Sequence, residues 1–429
     1  MQPAAAAAAA PRASVRAAPG RAAAAAATER AAAVRRRGCR RHAPPTAAAA
    51  PPMAAVDRGA PSAPPPSHAE RCAGALLGAM VGDALGAPFE GSPADAVAAA
   101  QRGLIGLREP ARYTDDTQMS LALAASLVNR RRACAADAAA QYVRAFDPQR
   151  GYGASAAELL RRLAAGADPA TTGTALHDGG SFGNGGAMRV APVGLAFRHA
   201  RTDVLIGAVR AALLCTHVHP AAVEGAAAQA LAVAELSRTA APPPGCDGGA
   251  AREPQLRLLR ALRARLAGES GPARHLPGEM AAKLLVLERA LQQAPALKPA
   301  AQPWADWLGS PAWAAERRVA EAVAPGFQIR ATDAVAAALW AVVCHASMAG
   351  ALVGALHGTA WLPRAWLDAL ENGAAPGGGG GGMFDDCAVA AALAGDLRGD
   401  PVVGGTRNAG RDAAELLARL LATLDCREL

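Results

Sequence analysis

Residues 113–128, YTDDTQMSLALAASLV, join a polar start to a run of small and apolar residues. Thr and Asp favour the first positions of a helix, and residues 117–128 carry no charge. Segments on both sides also place apolar residues three and four positions apart, and the chain shows little strand alternation. The pattern predicts an all-α fold.

Working outward from this stretch, the same spacing predicts helices on both sides of the glycine-rich segment 179–186, which interrupts the pattern. Before it, the predicted helices are 71–85, 117–128, 137–146 and 155–165. After it, they are 187–197, 204–214, 220–236, 256–266, 280–291, 314–323 and 411–424. Residues 240–254 are rich in Pro and Gly and are predicted to form a surface loop.

The chain ends differ in composition from its middle. Residues 1–68 form an Ala/Pro/Arg-rich tail that is predicted to be disordered because it offers little apolar surface to bury. This tail resembles an organellar transit peptide, with a low-complexity extension before a true start at Met53 as the alternative. One folded domain is predicted over 69–372, followed by a Gly-rich spacer and a final helix over 373–429. We expect an organelle (chloroplast or mitochondrion) or the cytoplasm, not secretion.

The net charge of +8 comes from the tail. Residues 1–67 hold ten of the 44 basic and two of the 36 acidic residues, which leaves 34 of each in the rest of the chain. A neutral folded part argues against a nucleic-acid partner. The eight cysteines show no metal-ligand spacing and are predicted to be reduced packing residues.

Residues 334–362 contain no Asp, Glu, Lys or Arg, and their length would suffice for a membrane span. His345 and His357, many small residues and the lack of cationic residues just before the segment argue against a membrane. We interpret the segment as a pair of buried helices.

Thr114, Asp115 and Asp116 form the first candidate site. Two adjacent carboxylates at a helix start diverge by about 100° around the axis, so they can address neighbouring positions. Carboxylate and hydroxyl oxygens suit Mg²⁺ or Mn²⁺. Taken alone, however, these residues favour ordinary helix capping.

Three further motifs carry chemistry. Residues 179–189, GGSFGNGGAMR, offer backbone N–H groups that suit a diphosphate, although a flexible loop explains the glycines equally well. Asp83 and Glu90 lie seven residues apart where a helix ends, which is a weak signal. His217 and His219 alternate, and a hydrogen-bonding or ring-stacking role is favoured over metal binding.

Together these motifs resemble the ADP-ribosylglycohydrolase family. The stretches that carry the resemblance are AGALLGAMVGDALGAPFEG (73–91), YTDDTQMSLALAASL (113–127), GSFGNGGAMRVAPVGLAF (180–197), THVHPAAVEGAAAQALAVA (216–234) and MAGALVGALHGTAWLPRAWLDALENG (348–373). The resemblance implies a compact orthogonal bundle of helices with two Mg²⁺ or Mn²⁺ ions in a cleft.

The resemblance also implies roles for individual residues. Metal ligands would be Glu90, Thr114, Asp115 and Asp116, with Glu90, Asp115 and Asp116 acting in catalysis. Substrate-binding residues would be Gly180, Ser181, Phe182, Gly183, Asn184, Gly185, Gly186 and His217. The expected reaction is hydrolysis at C1″ of ADP-ribose attached to a protein or another conjugate. The partner would be an ADP-ribosylated protein or ADP-ribose, without nucleic acid or membrane, and the chain a monomer.

One family motif is missing. Relatives carry Gly-Gly-Asp-Thr-Asp-Thr, which supplies further metal ligands, just before the helix that resembles 346–358. Here 331–345 runs directly into 346–358, so a segment is missing between His345 and Ala346. We interpret the junction as a mispredicted exon boundary in an enzyme. A catalytically impaired ADP-ribose-binding pseudoenzyme is the alternative, and a purely structural protein is a third reading.

Overall fold

The computed structural model describes residues 64–90, 98–99, 111–240, 248–267, 276–293, 310–325, 329–340, 346–370 and 409–428. Among these residues the regular structure is helical and no strand occurs, so the predicted all-α fold is confirmed. The tail before residue 64, the Gly-rich spacer and the junction at His345 lie outside them.

The helices follow in this order. The first five are α1 (His68–Gly86), α2 (Asp115–Arg130), α3 (Ala135–Ala145), α4 (Ala154–Ala164) and α5 (Pro169–Thr172). The next five are α6 (Ala191–Ala196), α7 (Thr202–Leu213), α8 (Pro220–Arg238), α9 (Gly248–Leu266) and α10 (Glu279–Gln293). The last five are α11 (Pro311–Val323), α12 (Ala331–Trp340), α13 (Ala346–His357), α14 (Arg364–Ala369) and α15 (Ala409–Ala422). Short 3₁₀ helices cover Ala87–Phe89 and Asn184–Arg189.

Helix α1 begins with a capping box. The Ser67 hydroxyl accepts a hydrogen bond from the Glu70 amide, and the Glu70 carboxylate accepts one from the Ser67 amide. The reciprocal bonds satisfy two amides that a helix start leaves without partners. Helix α1 therefore begins at His68, three residues before the predicted start of this helix at Arg71.

Helix α8 lies at the centre of the core. Almost every residue along it is buried, and it packs against α6, α7, α12 and α13. A helix that is apolar and small-residue-rich on all faces can be covered on all faces, which explains why this segment lacks an amphipathic pattern.

Helices α1 and α13 pack against each other through glycines. Gly78 of α1 faces Gly350 of α13, and Gly74 faces Gly354. The two pairs run in opposite directions along the chain, so the helices are antiparallel. A Cβ atom at Gly350 or Gly354 would collide with the carbonyl oxygen of the opposite glycine. Only residues without a side chain allow this approach.

Two predictions about local structure are wrong. The segment 187–197 is not one α-helix: a 3₁₀ helix ends at Arg189 and α6 begins at Ala191. Pro192 explains the break, because proline lacks the N–H that would continue a helix but fits its first turn. The loop predicted over 240–254 also ends earlier, since α9 starts at Gly248 and contains Pro254 in its interior. Ala250 and Ala251 favour helix and outweigh the Pro/Gly composition.

The charge-free segment 334–362 forms parts of two buried helices, α12 and α13, as predicted. Among the described residues, one helical stretch, His68–Phe89, is long and apolar enough to cross a membrane by length and composition. Most of its apolar window is buried inside the protein, as in a core helix.

The predicted C-terminal helix is present as α15 and packs against α1 and α2. Beyond it, the Cys426 amide donates to the Ala196 carbonyl at 3.0 Å, and Arg198 donates to the Leu424 carbonyl at 2.7 Å. The C-terminal segment is thus bound to the core. The four cysteines in the described residues are free thiols, as predicted, at Cys72, Cys134, Cys215 and Cys426.

Candidate functional site

Thr114 lies immediately before α2 with extended backbone (φ −109°, ψ −162°). Its hydroxyl does not cap α2 but donates to Asp83 Oδ1 at 2.6 Å. Asp115 and Asp116 lie in the first turn, where acids complement the helix dipole. Helix capping therefore explains the position of the two acids, but it does not explain the Thr114 side chain.

Asp83 anchors this start of α2 from α1. Its Oδ2 accepts from the Thr114 amide at 2.8 Å, the Thr117 amide at 3.1 Å and the Thr117 hydroxyl at 2.6 Å. The side chain is 4% exposed. Burial raises the pKa of the Asp83 carboxyl, while its four hydrogen bonds oppose that rise. The Asp83 carboxylate thus accepts from the Thr114 and Thr117 amides, which have no acceptor within the first turn of α2.

The sequence analysis names Asp83 only as one of two acids near the end of a helix and predicts no role for it. The signal that could have identified it is its isolation: Asp83 is the only charged residue in the run 72–89. Burying the acid of an apolar helix costs free energy unless hydrogen-bond donors from elsewhere in the fold reach its carboxylate.

The segment after α3 supports α2 from the other side. The Asp115 amide donates to the Arg150 carbonyl at 2.8 Å, and the Tyr152 hydroxyl donates to Gln118 Oε1 at 2.7 Å. Arg150 itself is buried, donates to the Tyr113 carbonyl at 2.9 Å and lies over the Tyr113 ring at 4.0 Å. Sequence reasoning missed Arg150 and Tyr152, because nothing in the local pattern links them to α2.

Acidic side chains converge at the start of α2. Burial, then the charges of Asp83 and Glu90, raise the pKa of Asp115 to about 7. Burial and then Asp83 raise the pKa of Glu90, which follows the 3₁₀ turn at the end of α1. The charges of Glu90 and Asp115 therefore act on each other, and Asp116 is half-buried in the same turn as Asp115.

This donor set matches one side of a site for a hard cation. Carboxylate and hydroxyl oxygens are the ligands that Mg²⁺ and Mn²⁺ prefer, and a cation would relieve the repulsion that raises these pKa values. In the described parts of the chain, however, no three His, Cys, Asp or Glu residues are arranged to hold a metal ion together.

The glycine loop, residues 179–186, is fixed to the start of α12. The Asn184 amide donates to the Ile329 carbonyl at 2.8 Å, and the Ala331 amide donates to the Phe182 carbonyl at 3.1 Å. Gly180 has a φ of +84°, which residues with a side chain rarely adopt. The loop is therefore held by backbone bonds on a rigid helix start, and the interpretation as a freely flexible loop is not supported.

Phe182 projects from this loop with 46% of its surface exposed. Its ring makes an edge contact with His219 at 6.0 Å between centroids, and the Arg330 guanidinium lies 5.6 Å from its centroid. Arg330 is held in turn by an ion pair with Glu279. An aromatic face that is exposed yet fixed from two sides can stack on a planar ligand.

The two histidines have different roles. His219 Nδ1 accepts from the Ala221 amide at 3.1 Å and so caps α8, while its ring contacts Phe182. His217 is buried against the glycine loop, where a Cβ at Gly185 would lie 2.8 Å from its ring. Burial, then Arg189 and His177, lower the pKa of His217 to about 3. His219 thus has a hydrogen-bonding role, and its ring meets Phe182 edge-on rather than stacked.

The acids and the glycine loop share one neighbourhood. Burial raises the pKa of Tyr152, the Asp115 charge raises it further, and the Arg189 charge lowers it. The 3₁₀ helix that follows the loop packs against α2, and Arg189 at its end donates from Nη1 to Met119 Sδ on α2 at 3.6 Å. The two sequence motifs form adjacent parts of one candidate site.

The sequence is similar to known proteins. A family model described as ADP-ribosylglycohydrolase matches residues 64–401. The ADP-ribosylhydrolase ARH3 of Danio rerio is 40% identical over 177 residues, which are 38% of this chain and 46% of that protein. The ADP-ribosyl-[dinitrogen reductase] glycohydrolase of Rhodospirillum rubrum is 36% identical over 167 residues, 36% of this chain and 54% of that protein.

The chain spans about half the length of the curated relatives it matches. Among solved structures, one titled ADP-ribosylglycohydrolase-related protein complex is 24% identical, with a TM-score of 0.44. The alignment covers 84% of this chain and 99% of that one.

Proposed function

Because the chain belongs to the ADP-ribosylglycohydrolase family, we propose that it is a hydrolase that removes ADP-ribose from modified proteins or ADP-ribosyl conjugates. The observation that carries the proposal is the packing of the 3₁₀ helix after the glycine loop against α2, the helix that begins with the acids, where Arg189 donates to Met119 Sδ at 3.6 Å. One part supplies anionic oxygens for catalysis, and the other supplies backbone N–H groups for a diphosphate.

The glycine loop would bind the diphosphate and ribose of ADP-ribose. Its glycines let the ligand approach the backbone closely, and it leads into the 3₁₀ helix that begins at Asn184. The exposed face of Phe182 would stack on the adenine base.

The acids would stabilise the reaction centre. Glu90, Thr114, Asp115 and Asp116 would hold Mg²⁺ or Mn²⁺, and metal ions bound in the complete family site would orient the ribose hydroxyls and the attacking water. The carboxylates of Glu90 and Asp115 would offset positive charge that develops at C1″. Glu90 would take the proton from water as a general base, for which its raised pKa is suited.

A second candidate function follows from the missing segment. The sequence contains no Gly-Gly-Asp-Thr-Asp-Thr, and among the described residues no three His, Cys, Asp or Glu are arranged to hold a metal ion. The chain as written would then be a catalytically impaired module that binds ADP-ribose. The transcript sequence across codons 344–347 distinguishes the two cases: contiguous reads without a longer isoform favour the impaired module.

Calorimetry and turnover test the proposed function together. We expect ADP-ribose to bind, and Asp115→Asn to lower Mg²⁺-dependent release of ADP-ribose from serine- or arginine-modified peptides by roughly 100-fold. Asp203→Asn, a surface acid paired with Arg201, serves as the control and should leave turnover unchanged. Binding without turnover supports the impaired module, and absence of both contradicts each of these functions.

Asp83→Asn is expected to weaken Mn²⁺ binding about tenfold, because a residue that orients a ligand typically contributes this much to metal affinity. The Thr114 hydroxyl now gives its proton to Asp83, which leaves its oxygen lone pairs for a cation. The amide of Asn would instead donate to that oxygen. Titration of Mn²⁺ followed by electron paramagnetic resonance measures the effect. Equal affinity in the variant and the wild type would contradict this role.

A further inference from the structure

Arg189 is a fully buried cation with neutral partners. Its Nη1 donates to the Gly185 carbonyl at 3.0 Å, and its Nη2 donates to the Ala212 carbonyl at 3.2 Å and to Thr216 Oγ1 at 2.6 Å. The Tyr142 ring faces the guanidinium at 4.6 Å. Across the described parts of the chain, no carboxylate lies within ion-pair distance of it. Arg189 therefore connects the glycine loop directly to the residue before His217.

The hydrogen-bond partners of Thr216 determine where its proton points. Its hydroxyl is fully buried, and the described residues give it two partners, Arg189 and His217 Nδ1 at 2.9 Å. Arg189 can only donate, so Thr216 Oγ1 accepts there. If His217 Nδ1 also donated, the Thr216 proton would be buried without an acceptor, which is costly. Thr216 therefore donates to Nδ1.

This direction fixes the form of His217. A ring nitrogen that accepts carries no proton, and the buried imidazole is neutral, so its single proton lies on Nε2. Within the described structure, Nε2 has no hydrogen-bond partner. It lies beside the loop: a Cβ at Gly185 would be 2.8 Å away, and one at Gly183 would be 3.6 Å away. An unpaired N–H donor thus lies at the place proposed for the diphosphate.

We propose that Arg189 and Thr216 are positioning residues that hold His217 as the neutral Nε2–H tautomer, ready to donate a hydrogen bond to a phosphate oxygen of the ligand. The ligand part of this inference rests on the proposed function, whereas the tautomer does not. The Arg189 guanidinium also binds the Gly185 carbonyl, so it sets the position of the glycine loop relative to His217 Nε2. His217 binds an anion as a neutral donor, and the positive charge comes from Arg189 behind it.

The tautomer can be measured in the free wild-type protein. In ¹⁵N-labelled protein, the imidazole signal that disappears in His217→Gln identifies His217 among the nine histidines. Two-bond ¹⁵N–¹H correlations should show a protonated Nε2 and a bare Nδ1, unchanged between pH 8 and pH 5. A protonated Nδ1, or a doubly protonated ring in this range, would overturn the proposal. This readout needs no activity, and the tautomer itself is read from the wild-type protein.

Two variants at Thr216 test whether its hydroxyl holds the His217 tautomer. Thr216→Val removes the hydroxyl at nearly constant volume, and we expect loss of the pure Nε2–H tautomer and about tenfold weaker ADP-ribose binding. Thr216→Ser keeps the hydroxyl and should match the wild type in both measurements. If Thr216→Val changes neither the His217 tautomer nor the affinity for ADP-ribose, Thr216 does not position His217 and the proposal is wrong. If the wild type shows the Nε2–H tautomer yet binds no ADP-ribose, the proposed function fails and the tautomer assignment stands.

Discussion

Gly354→Ala is expected to destabilise the protein by about 3 kcal/mol, because overpacking at a tight core contact costs this much or more. Its methyl group would collide with the Gly74 carbonyl oxygen, and the collision lies on the backbone of α1 rather than on a side chain that could move aside. Relief requires α1 and α13 to separate along their length, which would open contacts on both sides. Differential scanning calorimetry should show a melting temperature lower by roughly 5–10 °C.

Gly153→Ala is the matched control. A Cβ at Gly153 meets no atom within 4 Å, and the residue has a φ of −58°, which alanine adopts without strain. We expect a change of less than about 1 kcal/mol, since only the N-cap preference of α4 is affected. Equal melting temperatures for the Gly354→Ala and wild-type proteins would show that α1 and α13 are not held this closely.

The sequence predicts the helices well where packing follows the local pattern. Helix α2 was predicted over 117–128 and covers Asp115–Arg130, and α8 was predicted over 220–236 and covers Pro220–Arg238. Neither local rule is sufficient: the apolar spacing over 187–197 hides the break before Pro192, and the composition of 240–254 hides the start of α9 at Gly248. The residues of the candidate site were found through motifs, because each motif keeps its residues close together in the chain.

What the sequence could not predict are contacts between distant segments. Asp83 binds Thr114 and Thr117 from 31 and 34 residues away, and Arg189 reaches Thr216 over 27 residues. Hydrogen bonds of this kind depend on how helices dock, which local spacing does not encode. The orientation of the Thr114 hydroxyl is the clearest example: local preference predicts a cap, whereas tertiary structure directs it to Asp83.

The register of α1 against α13 bears on the missing segment. Gly78 of α1 faces Gly350 of α13. About one turn beyond this contact, α1 carries Asp83, and α13 has its first residue, Ala346. Antiparallel packing therefore places the start of α13 near the end of α1, beside the carboxylate that anchors Thr114. Residues inserted just before Ala346 would enter the fold next to the acids of α2. The docking of α13 is thus compatible with a longer chain at this junction.

Insertion of Gly-Gly-Asp-Thr-Asp-Thr between His345 and Ala346 is expected to raise Mg²⁺-dependent release of ADP-ribose by roughly 100-fold, since completing an oxygen-ligand set contributes several kcal/mol to stabilising charge at the reaction centre. The insert would supply the carboxylates that half a site lacks. A control insert of equal length, Gly-Gly-Ala-Thr-Ala-Thr, lengthens the junction without acids and should give no increase. Mn²⁺ affinity, measured in parallel, should rise only with the acidic insert. Equal turnover with both inserts, or full turnover of the chain as written, would show that the second set of acids is not what this protein lacks.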